Sequence, residues 1–222
     1  MHKSAGPLYA MGMKEKITIR RMIGMIAGIV ILSLGIALFK QSLLGNDSIS
    51  ALNMRLAELW HLSLGTEQLI TNGLFLLLEI LFGRKYIGPG TIINGAGVGY
   101  LVSFFYDLLQ KFAALPTTLP IKLIWVAAGV LVISFGASLY QTADLGIAPY
   151  DYLAIGLKDH TPVPYFWCRI FTDTLCAVLC YLLGGLIGLG TVICALGLGP
   201  FVSFFTRKVS MKLLNVSDAA TL

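Results

Sequence analysis

The sequence predicts an all-α membrane protein: six transmembrane helices arranged as two inverted three-helix repeats, each with a short interrupted or re-entrant helix. Three observations predict it. First, the 222 residues are 57% hydrophobic and 12% charged, with a mean hydropathy of +0.82. A soluble domain carries about twice that charge. Second, the chain repeats itself. Residues 87–105 read IGPGTIINGAGVGYLVSFF and residues 187–205 read IGLGTVICALGLGPFVSFF, with eleven of nineteen positions identical at an offset of one hundred. Upstream, Gly35, Leu38, Leu44, Gly45 and Leu52 meet Gly136, Leu139, Leu145, Gly146 and Leu153 at an offset of one hundred and one. Third, each repeat holds three apolar runs. An odd number of spans makes the second repeat enter the membrane from the opposite side, related to the first by an axis in the membrane plane.

The spans are read at 22–41, 68–82, 91–109, 121–141, 165–183 and 188–206. Runs of about twenty apolar residues cross a hydrocarbon core of roughly 30 Å. The chain divides into a basic tail (1–21), repeat one (22–110), a linker (111–120), repeat two (121–208) and a C-terminal tail (209–222). The N-terminal apolar run is longer than a signal core, and no clear cleavage site follows it. Basic residues track the span ends. Lys3, Lys14, Lys16, Arg20, Arg21, Arg84, Lys85, Lys158, Arg207, Lys208 and Lys212 fall on one side; Arg55, Lys111 and Lys122 fall on the other. By the positive-inside bias both termini are cytoplasmic and the loop at 183–188 is outside. The same distribution argues against nucleic acid as the reason for the net charge of +5.

Each repeat breaks at the same place. Leu44-Gly45-Asn46-Asp47-Ser48 follows the first span, and Leu145-Gly146-Ile147-Ala148-Pro149-Tyr150-Asp151 follows the fourth. Glycine permits a sharp turn, Pro149 suits a first helical turn, and Asp47 or Ser48 suits an N-cap. The helices that follow are too short to cross a bilayer. In the first, Ile49, Leu52, Leu56 and Leu59 form one stripe, with Asn53, Arg55 and Glu58 off it. Such segments either lie along the interface or dip in as half-helices with their amide ends exposed. Paired interrupted segments point to a transport site.

Gly136-x-x-Leu139-x-x-x-x-x-Leu145-Gly146-x-x-Pro149-Tyr150-Asp151-x-Leu153, followed by Gly188-x-Gly190-Thr191, resembles the YczE/YitT-like group of bacterial integral membrane proteins. Repeat two matches both signatures. Repeat one keeps Leu44-Gly45 and Gly90-Thr91 but has Ser48, Ile49 and Ser50 in place of Pro149, Tyr150 and Asp151. The resemblance covers about residues 22–208 and implies the duplicated fold and the bacterial cytoplasmic (inner) membrane.

Ionisable groups inside spans carry a functional expectation. Asp173 and Arg169 lie one turn apart on the fifth span and are placed to pair. Repeat one has Gln68 and Asn72 there, so charge accumulates in repeat two. The expected substrate-binding set is Gln141, Tyr150, Asp151, Arg169 and Asp173, with Asn72 from the other repeat. Glu79 is read as reaching Arg84 or Lys85. The glycine pairs Gly24/Gly28, Gly95/Gly99 and Gly184/Gly188 are read as close helix contacts. Cys168, Cys176, Cys180 and Cys194 are read as small packing residues, without disulfides. His2, His61 and His160 are too scattered for a metal site. No hydrolase, P-loop or zinc-protease motif is present, so no catalytic residue, metal or cofactor is expected. The leading reading is a small-solute transporter or channel-like protein. Its alternatives are a non-transporting partner or regulator, and an intramembrane enzyme on a lipid-soluble substrate. The expected partners are the lipid bilayer, a small solute whose identity is left open, with a cation, a proton or an amine as the classes such a site suits, and, as an open alternative, a second copy in a homodimer.

Overall fold

A computed structural model describes residues 17–216; the expected tail charges Lys3, Lys14 and Lys16 lie outside them. The described residues are helical, with no strand. In chain order the helices are α1 (Ile19–Ser42), α2 (Ser48–Leu59), α3 (Leu64–Phe82), α4 (Pro89–Phe112), α5 (Leu119–Ala143), α6 (Pro149–His160), α7 (Tyr165–Leu182) and α8 (Leu189–Phe205). A π-turn (Thr206–Ser210) joins α8 to a short α9 (Met211–Leu214). Six segments are long and apolar enough to cross a membrane: α1, α3, α4, α5, α7 and the run Leu189–Leu214. The third helix starts earlier than its apolar run, because Ser63 accepts from the Thr66 amide and caps it at Leu64. The last segment runs on past 206, and Met211 and Leu214 are buried, with Leu214 seated on Gly24 of α1.

The interruptions form as the sequence expects. α1 ends on Leu43 in the left-handed region, followed by Gly45 at φ +99°; α5 ends on Asp144, also left-handed, followed by Gly146 at φ +121°. Only glycine takes those second angles without strain. Asp47 then accepts from the Ser50 amide and caps α2, while Pro149 opens α6 without a side-chain cap. At twelve residues each, α2 and α6 are about 18 Å long. One detail differs from expectation. Asn53, placed off the apolar stripe, is buried, whereas Leu59 is exposed. α2 therefore turns a different face inward, because Ser50, Ala51 and Ala57 let neighbouring helices come close.

The core is the antiparallel pair α1 and α5. Gly28 lies against Gly136 and Tyr140, Gly35 against Ile133, and Phe39 against Gly129. Met25, Ile29, Ile36, Val126, Val130 and Ile133 fill the space between them. Around this pair the halves exchange partners: α2 packs on α7, and α6 packs on α3.

The repeated Gly-x-Gly-Thr and Leu-Gly strings meet each other across the halves. The Gly90 amide donates to the Leu145 carbonyl (2.9 Å), and the Gly190 amide donates to the Leu44 carbonyl (2.8 Å). Thr91 lies under Gly146 and Thr191 under Gly45; Thr91 Oγ1 also accepts from the Gly88 amide at 3.1 Å. Each half thus closes the broken backbone of the other.

A candidate site at the meeting of the halves

The two broken segments lead into the N-termini of α2 and α6 and lie against the opposite half, Gly45 on Thr191 and Gly146 on Thr91. Beside them runs α7, whose Cys168, Thr172, Cys176 and Cys180 form a buried stripe one turn apart. Arg169 and Asp173 sit on the flank of that stripe. The Arg169 guanidinium joins two carboxylates. Its Nε donates to Asp173 Oδ2 at 2.9 Å, and its Nη1 donates to Asp151 Oδ1 on α6. Tyr150 donates its hydroxyl to Asp173 Oδ1 at 2.7 Å, and its ring lies 5.1 Å from the guanidinium carbon. Phe75 of α3 backs the Tyr150 ring at 6.1 Å. Four of the six expected residues therefore form one cluster: Tyr150, Asp151, Arg169 and Asp173.

The other two stand apart. Asn72 donates to the Gly95 carbonyl at 2.9 Å and ties α3 to α4. Gln141 is exposed near the end of α5, because its helix turns Tyr140 inward instead, where that hydroxyl donates to the Gly146 carbonyl.

Two acids belong beside the cluster and were read otherwise in the sequence. Asp47 caps α2 and also lies within electrostatic reach of Asp173 and Arg169. A third aspartate therefore lies near the cluster, outside its hydrogen-bonded set. Glu79 does not reach Arg84 or Lys85. Arg84 Nε turns back to the Ile80 carbonyl, and Lys85 pairs with Asp159. Glu79 is fully buried, both of its carboxyl oxygens lack a hydrogen-bond partner, and it lies within electrostatic reach of Asp151. The signal for it was present. Gln68, Asn72 and Glu79 recur at four and seven residues, which is one polar face of a helix.

The outer ends of the short helices are tied to turns of the opposite half. Arg55 Nε donates to the Leu183 carbonyl at 2.7 Å and Nη1 pairs with Glu58 at 3.0 Å. In the other half Asp159 accepts from the Tyr86 hydroxyl at 2.8 Å and pairs with Lys85 at 3.0 Å. Burial works against ionisation of Asp159, but the bonds from Tyr86 and Lys85 outweigh it and hold its carboxyl below its ordinary value. The hydrogen bond to Asp159 holds Lys85 above its ordinary value. The sign follows for each partner. A depressed carboxyl contributes stability above its unfolded value, about pH 4, and loses it as pH falls through the folded value. A raised lysine contributes below about pH 10 and loses it as pH rises through the folded value. Asp159→Asn is expected to cost under about 1 kcal/mol, since Lys85 is exposed. Melting curves of the two proteins should differ near pH 7 and converge below about pH 4. A constant gap down to pH 3 would contradict the pairing.

The surroundings of the two ties differ. Beside Arg55 lies a cleft of about 220 Å³ lined by Lys40, Asn46, Arg55, Glu58, Tyr106 and their neighbours, with Lys40 Nζ 4.2 Å above the Tyr106 ring. At the equivalent place beside Asp159, Tyr152 stands where α2 has Ala51. It packs there with Tyr86, Ile147 and Ile155. Ala51 lines the cleft at the first tie, and its counterpart Tyr152 is packed into a small apolar cluster at the second.

Residues 19–207 match the model of DUF6198, a family of unknown function. The chain belongs to DUF6198. Similar proteins share this extent. An "Uncharacterized protein" of Haemophilus influenzae is 30% identical over 181 residues, 81% of this chain and 80% of that one. The "Uncharacterized membrane protein YczE" of Bacillus subtilis is 27% identical over 194 residues, 87% and 88% of the two chains. "Uncharacterized protein YyaS" of the same organism is 28% identical over 169 residues, 75% and 82%. No solved structure matches. The YczE-like resemblance in the signatures therefore holds along most of the chain. This DUF6198 member is a membrane protein with six apolar helices among its described residues, and the matched range contains the whole Tyr150–Asp173 cluster.

Proposed function

We propose that this protein is a small-solute transporter or channel-like carrier of the bacterial inner membrane, with both termini cytoplasmic. In this reading the halves are inverted-topology repeats, and α2 and α6 are re-entrant half-helices. The antiparallel α1–α5 pair and the exchanged partners around it support inversion, because an axis relating two antiparallel helices lies across them. The observation that carries the reading is the Asp151–Arg169–Asp173–Tyr150 cluster beside the two broken segments. Its acids outnumber its cations, so a cation or an amine is the class of solute it suits.

The test is solute-dependent stabilisation of purified protein across inorganic cations, short amines and amino acids. We expect at least one amine or cation to raise the melting temperature, and Asp173→Asn to remove that rise while leaving the fold. No rise with any solute, or an equal rise in the variant, would remove the site assignment. Labelling of single cysteines placed at 18 and 186 tests the orientation, which fails if both are reached from one side.

A further inference from the structure

The two halves differ most where α3 meets α4 and α7 meets α8. In the first half the helices interlock. A Cβ on Gly99 would lie 2.7–2.9 Å from Gln68, Gly65 and Leu64, and Asn72 closes the seam onto Gly95. In the second half Phe166 replaces Gly65, Ala195 replaces Gly95 and Pro200 replaces Tyr100. A phenylalanine cannot enter a seam built for glycine. Pro200 and the π-turn after it mark where the last segment departs from a regular helix. α7 and α8 consequently scarcely touch. A Cβ on Gly199 would meet nothing within 4 Å. Tyr165, Phe166, Ala195 and Gly199 are exposed, whereas Leu64, Gly65, Gly95 and Gly99 are buried.

The seam that α3 and α4 close is therefore left unclosed between α7 and α8. Its walls are apolar. Arg169 and Asp173 hold on α7 the places that Gln68 and Asn72 take in the closed seam, with 33% and 37% of their side-chain surface still exposed. Asp47 and Cys194 of α8 are within electrostatic reach of that pair. The Arg169 fork is already turned onto Asp151 and Asp173, so an anionic head would meet carboxylates first. Tyr165, exposed one turn before Arg169 on α7, offers an aromatic face to a cation.

We propose that the α7–α8 crevice takes a single-chain amphiphile with a protonated amine head. The head sits at Asp173 and Asp47, and the tail lies along Phe166, Ala195 and Gly199, reached from within the bilayer. The proposal rests on the cluster being a solute site, and it names the class of solute.

The test uses the full chain in phospholipid nanodiscs and a twelve-carbon alkylamine carrying a photoreactive tail. Labelling is expected on peptides of α7 and α8. Dodecylamine should suppress it at least about tenfold better than butylamine, and dodecyl sulfate should not. Gly199→Leu, which fills open space, should keep the melting temperature and remove the tail labelling. Labelling unaffected by Gly199→Leu, or suppressed equally by the sulfate, overturns the crevice. Butylamine protecting as well as dodecylamine, with loss in Asp173→Asn, overturns the crevice and leaves the amine site standing. No protection by either amine, with Asp173→Asn silent, overturns both. Gly199→Cys forming a cross-linked pair of chains would give the crevice to a second copy and overturn the proposal.

Discussion

Gly136→Leu is expected to yield no folded protein, and Gly136→Ala to lower stability by about 1–3 kcal/mol. Every atom that an added Cβ would meet first belongs to backbone: the Leu32 amide nitrogen and α-carbon, and the Gly28 carbonyl at 2.8 Å. Backbone inside a helix cannot rotate away, so the two central helices must separate. They form the core on which both halves rest, and separation opens voids around Ile29, Ile133 and Tyr140. Gly97→Ala is the control. A Cβ there meets nothing within 4 Å, and a helix interior gains roughly 0.5–1 kcal/mol from losing a glycine. Detergent melting and size-exclusion profiles of the three variants decide it. Equal stability of Gly136→Ala and Gly97→Ala would show that α1 and α5 do not meet at this glycine.

The second large effect is Arg169→Gln. It leaves Asp151 and Asp173 facing each other without their shared cation. Removing one partner of a buried pair costs about 3–5 kcal/mol; these side chains keep about a third of their surface, so the lower end is expected. Asp173→Asn should cost much less, because Arg169 keeps Asp151 and Tyr150 can still donate to the new amide oxygen. The double variant Arg169→Gln with Asp151→Asn should recover part of the loss. If the double variant is no more stable than Arg169→Gln alone, the three groups do not form one electrostatic unit.

The helix count, the interruptions and the acid–base pair were legible because duplication prints them twice and because charge inside an apolar run stands out. Facing directions were harder. In a membrane helix the lipid side and the buried side are both apolar, so periodicity does not say which way a residue turns. Asn72 stands at the place of Asp173 in the repeat and Gln141 lies just before the second break, yet Gln141 is exposed and Asn72 ties a neighbouring helix. Glu79 was assigned to a nearby basic residue in sequence, while its real surroundings come from α6, seventy residues away. Asp47 was legible as a cap but not as a neighbour of Asp173, because that proximity depends on α2 packing against the other half. The difference between Gly65 and Phe166 lies at the same offset as Gln68 and Arg169. Its meaning needed the seam between α3 and α4 for comparison.

The bonds from Gly90 to Leu145 and from Gly190 to Leu44 impose an order on assembly. As the chain leaves the ribosome, the Leu44 carbonyl and the Gly90 amide emerge first, with their partners still unmade. A lone amide or carbonyl is poorly tolerated in hydrocarbon. These two groups of the leading half therefore stay without those partners until the trailing half arrives. Each of the two clasps closes only with a residue of that trailing half, so a nascent chain halted after residue 143 would be inserted but unfinished.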